Sequence, residues 1–125
     1  MVAVFLASCL VGGQVLDDAV KALVGRPRPH IAPLVTATGS SFPSGHATAA
    51  TTLFLGLAYV FTRRRGWQAS IWIWATAVLA TGLVALSRVY LGVHWPTDVM
   101  GGLALGGGWT AVCATAAATL GRLRT

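Results

Sequence analysis

Three short clusters in the chain contain residue types that bind phosphate and move protons. The first runs from Lys21 to His30, the second from Ser40 to His46, and the third from Ser87 to Asp98. They include all three histidines and the single lysine. An imidazole transfers protons or attacks as a nucleophile, and Lys and Arg neutralise phosphate oxygens. The clusters therefore indicate chemistry on an anionic group.

The second cluster has the features of an anion site at the start of a helix. Pro43 fixes the approach of the chain, Ser44 suits an N-cap position, and Gly45 allows close approach of the backbone to a ligand. A helix that begins there directs free N–H groups and its positive dipole end towards an anion. His46, in the first turn, is placed to give or take a proton.

The third cluster places a histidine and a carboxylate on one helix face. His94 and Asp98 are four residues apart, and Pro96 fits the first turn of a helix starting near Trp95. We expect Asp98 to accept a hydrogen bond from one ring nitrogen of His94, which leaves the other nitrogen as a nucleophile. Arg88 is expected to act as a forked phosphate clamp.

The first cluster adds positive charge beside a helix end. Arg28 lies between two prolines, so its backbone is stiff, and Lys21 lies about two turns earlier. Asp17 and Asp18 precede Lys21 by four and three residues. We expect these carboxylates to pair with Lys21 and orient it rather than to take part in catalysis.

Long charge-free runs predict the elements that carry these clusters. Hydrophobic residues make up 55% of the 125 residues and charged residues only 10%, against about 25% charged in an average soluble domain. A span of roughly 30 Å needs about 20 residues at 1.5 Å each. We predict an all-α bundle of about four transmembrane helices, the second being the shortest, from charge-free runs at 1–16, 47–62, 66–87 and 99–121.

Local signals refine this bundle and exclude other classes. The first helix is predicted at 2–24, with Gly25 as its C-cap. Gly102 and Gly106 form a GxxxG pattern that indicates close helix packing. Disorder is excluded by the high hydrophobicity, and a disulfide scaffold by the presence of only two cysteines, both in apolar runs. A soluble bundle is disfavoured because no run has a polar stripe.

The basic residues predict the orientation. Arg63–Arg65, Arg122 and Arg124 adjoin helix ends on one side, which the positive-inside rule places in the cytoplasm. All three clusters then face outward. Taken singly, each has a simpler interpretation: a headgroup-binding basic loop, a turn with a helix cap, or a buried interface histidine. Their convergence on one side favours a shared site, and it argues against nucleic-acid binding because the basic residues are divided between two sides.

At these residues the chain resembles the type 2 phosphatidic acid phosphatase superfamily, which includes the vanadium haloperoxidases. That family's signature reads K-x6-R-P, then P-S-G-H, then S-R-x5-H-x3-D. Every position matches in order: Lys21, Arg28 and Pro29; Pro43, Ser44, Gly45 and His46; Ser87, Arg88, His94 and Asp98.

The resemblance implies a phosphatase–haloperoxidase-like core and a role for each residue. His94 is implied as the nucleophile that forms a phosphohistidine, with Asp98 as its orienting partner. His46 is implied as the general acid and then the base. The implied phosphate cradle is Lys21, Arg28, Ser44, Gly45 and Arg88, with help from Arg26. No metal or cofactor is implied, because cations stabilise the equatorial oxygens.

The expected function is hydrolysis of a lipid phosphate or polyprenyl diphosphate at the outer face of a bacterial cytoplasmic membrane. The alternatives are a catalytically inactive fragment or lipid-binding remnant of the family, and vanadate-dependent halide oxidation, which the composition disfavours. The uncharged segment 31–39 is expected to border the pocket. Integral-membrane members usually have six helices, so the chain is interpreted as a single domain, 1–125, that lacks about two N-terminal helices.

Overall fold

The computed structural model describes residues 2–29 and 33–122. Four helices form in this part of the chain: α1 (Val2–Val24), α2 (Gly45–Thr62), α3 (Trp67–Tyr90) and α4 (Pro96–Arg122). Three sets of residues named above lie outside the described residues: His30, residues 31–32 of the segment expected to border the pocket, and Arg124. The four predicted helices are confirmed, and α1 ends where it was predicted to end. Gly25, directly after it, has a φ of 60°, a conformation that glycine adopts without strain.

Three of these helices, α1, α3 and α4, are long and apolar enough to cross a membrane. Much of their apolar surface faces outward, as Trp72 and Leu83 on α3 illustrate with exposed fractions of 74% and 60%. Bilayer lipid is the solvent that suits such a surface. The chain therefore has the composition and the architecture of an integral membrane bundle.

The remaining helix, α2, lies at the centre of the bundle. It packs against all three other helices, and several of its buried residues are threonines: Thr48, Thr51 and Thr52. The hydroxyl groups of Thr51 and Thr52 donate to carbonyl oxygens of their own helix, and that of Thr48 donates to Asp17, so all three are satisfied without water. A helix enclosed in this way does not need the lipid-facing residues of a peripheral span.

Close contact between α2 and α4 sets the position of α2. A Cβ added to Gly102 would lie 2.6 Å from the carbonyl oxygen of Ser44, and one on Gly106 would lie 2.8 Å from that of Thr48. The predicted GxxxG packing is confirmed, since both glycines meet the backbone of α2. The first turn of α2 is thereby held against the first turns of α4.

We expect Gly102→Ala to destabilise the bundle. The added methyl group meets backbone atoms that cannot move separately, and such overpacking costs about 1–3 kcal/mol. Gly108→Ala is the matched control, because a Cβ there meets nothing within 4 Å, and alanine gains about 1 kcal/mol of helix propensity. Thermal unfolding in detergent should show a lower Tm for the first variant and an equal or higher Tm for the second. Equal Tm values for both would contradict the packing.

Candidate active site

Main-chain hydrogen bonds join the three clusters at one end of the bundle. The Ser41 N–H donates to the carbonyl oxygen of Arg26 at 2.7 Å, and the Ser44 N–H donates to that of Asp98 at 2.9 Å. Residues that are distant in sequence thus lie side by side, between the C-termini of α1 and α3 and the N-termini of α2 and α4. The sequence prediction that the clusters share one side is confirmed.

His94 lies at the centre of this region, and both of its ring nitrogens have partners. Nδ1 is 2.8 Å from the carbonyl oxygen of Ser41, and Nε2 is 3.2 Å from Nη1 of Arg28. A carbonyl only accepts and a guanidinium only donates. Nδ1 must therefore carry the proton and Nε2 the lone pair. This is the tautomer that makes Nε2 available as a nucleophile.

The surroundings of His94 keep it neutral. Burial lowers the pKa of His94, since only 5% of the residue is exposed, and the positive charge of Arg28 lowers it further. The hydrogen bond to Ser41 and the charge of Asp98 raise the pKa, and Lys21 opposes them. The resulting pKa lies below the ordinary value, so the lone pair on Nε2 persists into mildly acidic solution.

Asp98 is fully buried and is surrounded by donors other than His94. One carboxylate oxygen accepts from the Ser41 hydroxyl and, at 2.8 Å, from the Trp95 N–H. The other accepts from Arg26 at 2.9 Å. The nearest distance from Asp98 to Nδ1 of His94 is 3.7 Å. The direct hydrogen bond predicted between Asp98 and His94 is therefore wrong, because the Ser41 carbonyl lies closer and takes its place.

Arg26 and Arg28 contact different groups. Arg26 binds Asp98 and, at 2.7 Å, the hydroxyl of Thr97, so its charge compensates a buried carboxylate. The help to the phosphate cradle expected of Arg26 stays a prediction. Arg28 reaches His94 and also donates to four carbonyl oxygens, those of Thr38, Gly39, Ser40 and Val93. It therefore orders the segment before α2 as well as facing Nε2 of His94.

Lys21 is held beside the start of α2 by a buried carboxylate. Asp17 has no exposed surface, pairs with Lys21, and accepts the Thr48 hydroxyl at 2.9 Å. A Cβ on Gly45 would lie 2.8 Å from Nζ of Lys21 and 3.1 Å from Oδ2 of Asp17, so a side chain there would displace this pair. The predicted pairing is correct for Asp17. It is wrong for Asp18, whose side chain is exposed and accepts from Gln14.

Ser44 and His46 occupy the start of α2. Ser44 is at the N-cap position, as predicted, but its hydroxyl makes no capping bond. Among residues 2–29 and 33–122, this buried oxygen has no hydrogen-bond partner. His46 is exposed, and the positive charges of Arg88, Lys21 and Arg28 act on its ring. Arg88 donates from Nε to the Ser87 hydroxyl at 3.0 Å. Three cations thus act on one ring beside a helix N-terminus, an arrangement suited to an anion.

Sequence reasoning missed Ser41. It is completely buried and uses its N–H, its carbonyl and its hydroxyl to contact Arg26, His94 and Asp98 respectively. Its position next to the Pro43–His46 motif was the available signal. However, a residue of any type can make a main-chain contact, so the residue type does not indicate one. In the described part of the chain, no three His, Cys, Asp or Glu side chains come together as a metal-binding group.

The fold and the site define a class of integral membrane helix bundle in which two histidines and several cations meet at the helix ends. Comparison with known families gives the same result: the PAP2 superfamily model matches residues 2–122. The chain belongs to the PAP2 superfamily.

Individual relatives and solved structures agree with this assignment. Phosphatidylglycerophosphatase B of Bacillus subtilis is 38% identical over 95 residues, which cover 74% of this chain and 47% of that protein. Lipid A 1-phosphatase of Rhizobium etli is 31% identical, over 95% of this chain and 52% of its own length. The chain thus spans about half the length of these curated relatives. The crystal structure of a transmembrane PAP2-type phosphatidylglycerolphosphate phosphatase from B. subtilis superposes with a TM-score of 0.87 at 30% identity, over 93% of this chain and 59% of that one.

We expect Asp17→Asn to destabilise the protein and Asp18→Asn to leave it almost unchanged. The first variant removes the charge partner of Lys21 inside the bundle, and loss of a buried hydrogen-bonded partner costs about 1–3 kcal/mol. The second alters an exposed carboxylate, which is worth about 0.5 kcal/mol or less. Thermal unfolding in detergent measures both. Equal losses of stability in the two variants would show that the buried Asp17 contributes no more to stability than the exposed Asp18.

We expect Arg28→Gln to raise the pKa of His94. The variant removes a positive charge next to the ring, which favours the protonated form. NMR titration of 15N-histidine-labelled protein measures this pKa, with the signal assigned by its loss in His94→Ala. Arg63→Gln, at the other end of the bundle, should leave the titration unchanged. An unchanged or lower pKa in Arg28→Gln would contradict the contact at 3.2 Å.

Proposed function

We propose that the chain is a metal-independent membrane phosphatase that hydrolyses a lipid phosphate or polyprenyl diphosphate through a phosphohistidine on His94. The observation that carries this proposal is the environment of Nε2. Its lone pair faces the guanidinium of Arg28 while Nδ1 is tied to a carbonyl. A neutral imidazole held in this tautomer, beside cations that attract phosphate, is prepared for attack on phosphorus.

In the first step, the Nε2 lone pair forms a bond to the terminal phosphorus and the bond from that phosphorus to the leaving oxygen breaks. The leaving oxygen is that of the lipid alcohol for a lipid phosphate, and the bridging oxygen of the lipid monophosphate for a diphosphate. A protonated His46 gives its proton to that departing oxygen. The positive charges around His46 oppose its protonation, and the negative charge of the arriving phosphate offsets them. The products of this step are the dephosphorylated lipid and a phosphohistidine that keeps its proton on Nδ1.

In the second step, a water oxygen attacks phosphorus and gives a proton to the now neutral His46. The bond between phosphorus and Nε2 breaks, and its electron pair returns to the ring. Inorganic phosphate leaves, and both histidines regain their starting protonation states. The reaction therefore balances without a metal ion or a cofactor.

Phosphate oxygens would be stabilised by Lys21, Arg28 and Arg88 together with the first N–H groups of α2. The unpartnered hydroxyl of Ser44 supports this location, since a buried polar atom normally has a partner. Arg28 would exchange its bond to Nε2 for one to a phosphate oxygen as Nε2 bonds to phosphorus. Gly45 keeps this space open, because any side chain there would collide with Lys21.

The apolar, membrane-spanning helices support the proposal that the substrate is a lipid. Apolar side chains cover α1, α3 and α4, so the tail of a lipid would remain in the bilayer while its phosphate enters the pocket at the helix ends. Arg63–Arg65 follow α2 at the opposite end. The positive-inside rule supports the proposal that the site lies at the outer face of a bacterial cytoplasmic membrane. Relatives are named as phosphatases of phosphatidylglycerophosphate and undecaprenyl diphosphate, and these are the substrates to test.

We expect membranes containing the protein to release phosphate from phosphatidylglycerophosphate or undecaprenyl diphosphate in the presence of EDTA. His94→Ala should abolish release, and His46→Ala should slow it by about 10²–10⁴-fold, the usual contribution of acid–base catalysis. Vanadate should inhibit, because it imitates five-coordinate phosphorus. Ser70→Ala, an exposed hydroxyl on α3, should retain wild-type rates.

Three results would contradict different parts of the proposed function. Undiminished release by His94→Ala would exclude the phosphohistidine. Inhibition by EDTA would exclude a metal-independent reaction. Absence of release from folded wild-type protein, with vanadate binding retained, would support the alternative of an inactive lipid-binding member of the family.

A further inference from the structure

We propose that Ser41 is the positioning residue through which Asp98 holds His94, with the Ser41 hydroxyl anchored on Asp98 and the Ser41 carbonyl accepting the Nδ1 proton. The predicted effect on activity rests on the proposed function. The contacts among Ser41, Asp98 and His94 do not depend on it.

The acceptor for Nδ1 of His94 is the Ser41 carbonyl and not Asp98. The Ser41 carbonyl oxygen is 2.8 Å from Nδ1, whereas the nearest oxygen of Asp98 is 3.7 Å away. A separation of 3.7 Å is beyond hydrogen-bonding distance. The single N–H of the ring therefore points to Ser41, and Asp98 can act on His94 only through space or through an intermediary.

Asp98 already has hydrogen-bond donors other than His94. The Ser41 hydroxyl, the Trp95 N–H and Arg26 all donate to a carboxylate that has no exposed surface. A buried carboxylate keeps its charge only when donors surround it. Asp98 therefore holds the Ser41 hydroxyl in place. Because only a few covalent bonds separate this hydroxyl from the Ser41 carbonyl, the position of the carbonyl is restricted as well.

Hydrogen bonds of its N–H and its hydroxyl fix the position of Ser41. Its N–H donates to the carbonyl of Arg26 at 2.7 Å, and the guanidinium of the same Arg26 binds Asp98 at 2.9 Å. Ser41, Arg26 and Asp98 thus form a closed ring of hydrogen bonds. The carbonyl that His94 uses is one group of a residue already fixed at two other points.

Ser41 and Asp98 share two tasks that a single carboxylate in contact with His94 would otherwise perform. The Ser41 carbonyl sets the direction and the tautomer of the ring. Asp98, at 3.7 Å, contributes negative charge when phosphorylation makes the ring cationic. A carbonyl cannot remove the Nδ1 proton as a carboxylate can, so the proton stays on Nδ1 throughout the reaction.

The decisive experiment compares Ser41→Ala with Asp98→Asn by 15N NMR of histidine-labelled protein in detergent. The wild-type protein should show His94 protonated on Nδ1 and unprotonated on Nε2. Ser41→Ala should shift part of the population to the other tautomer, because the carbonyl loses its anchor. Asp98→Asn should retain the wild-type tautomer, since an asparagine oxygen still accepts the Ser41 hydroxyl.

The activity measurement adds a second readout. If a buried hydrogen bond is lost, kcat of Ser41→Ala should fall about tenfold, with KM changed by less than about twofold because Ser41 does not face the phosphate. Ser70→Ala is the control for removal of a hydroxyl group. Thermal unfolding establishes that each variant is folded.

Three results would overturn the inference: a wild-type His94 protonated on Nε2, a tautomer shift in Asp98→Asn but not in Ser41→Ala, or no shift in either variant. The first needs no variant, so the inference remains open to refutation even if Ser41→Ala fails to fold. Wild-type protein that releases no phosphate but shows these NMR signatures would refute the proposed function while supporting the role of Ser41.

Discussion

The burial of Asp98 constrains the geometry of the whole site. A carboxylate with no exposed surface remains charged only where donors replace its lost water. These donors come from separate parts of the chain: Arg26 follows α1, Ser41 precedes α2, and Trp95 precedes α4. Satisfying one buried charge therefore requires three loops to meet, and their meeting places His94 between Ser41 and Arg28.

The bundle makes this meeting possible because its central helix is held closely. Gly102 and Gly106 bring α4 against the backbone of α2, and Asp17 joins α1 to α2 through Thr48 and Lys21. The N-terminus of α2 is consequently fixed from two sides. Precise placement of an anion-binding helix end needs such support, since a displacement of about 1 Å is enough to misalign reacting groups.

Features of the site that depend on residue type and spacing could be predicted from the sequence. The charge-free runs gave the four helices, the glycines at 102 and 106 gave their close packing, and the motifs gave the residues that gather at one end. Partners provided by the backbone could not be predicted. The acceptor for His94 is a carbonyl, and every residue has one, so Ser41 was missed. Arg26 and Arg28 have the same side chain, and only the tertiary structure decides which of them faces His94.

The five hydrogen-bond contacts of Arg28 have a consequence for the product of the proposed reaction. Its guanidinium is already bonded to four carbonyl oxygens and to His94, so an arriving phosphate replaces existing bonds instead of adding to them. The net gain from each exchange is much smaller than the strength of the new bond alone. In the proposed reaction, inorganic phosphate would therefore be held weakly by this arginine and would dissociate readily, which would allow the next lipid to enter.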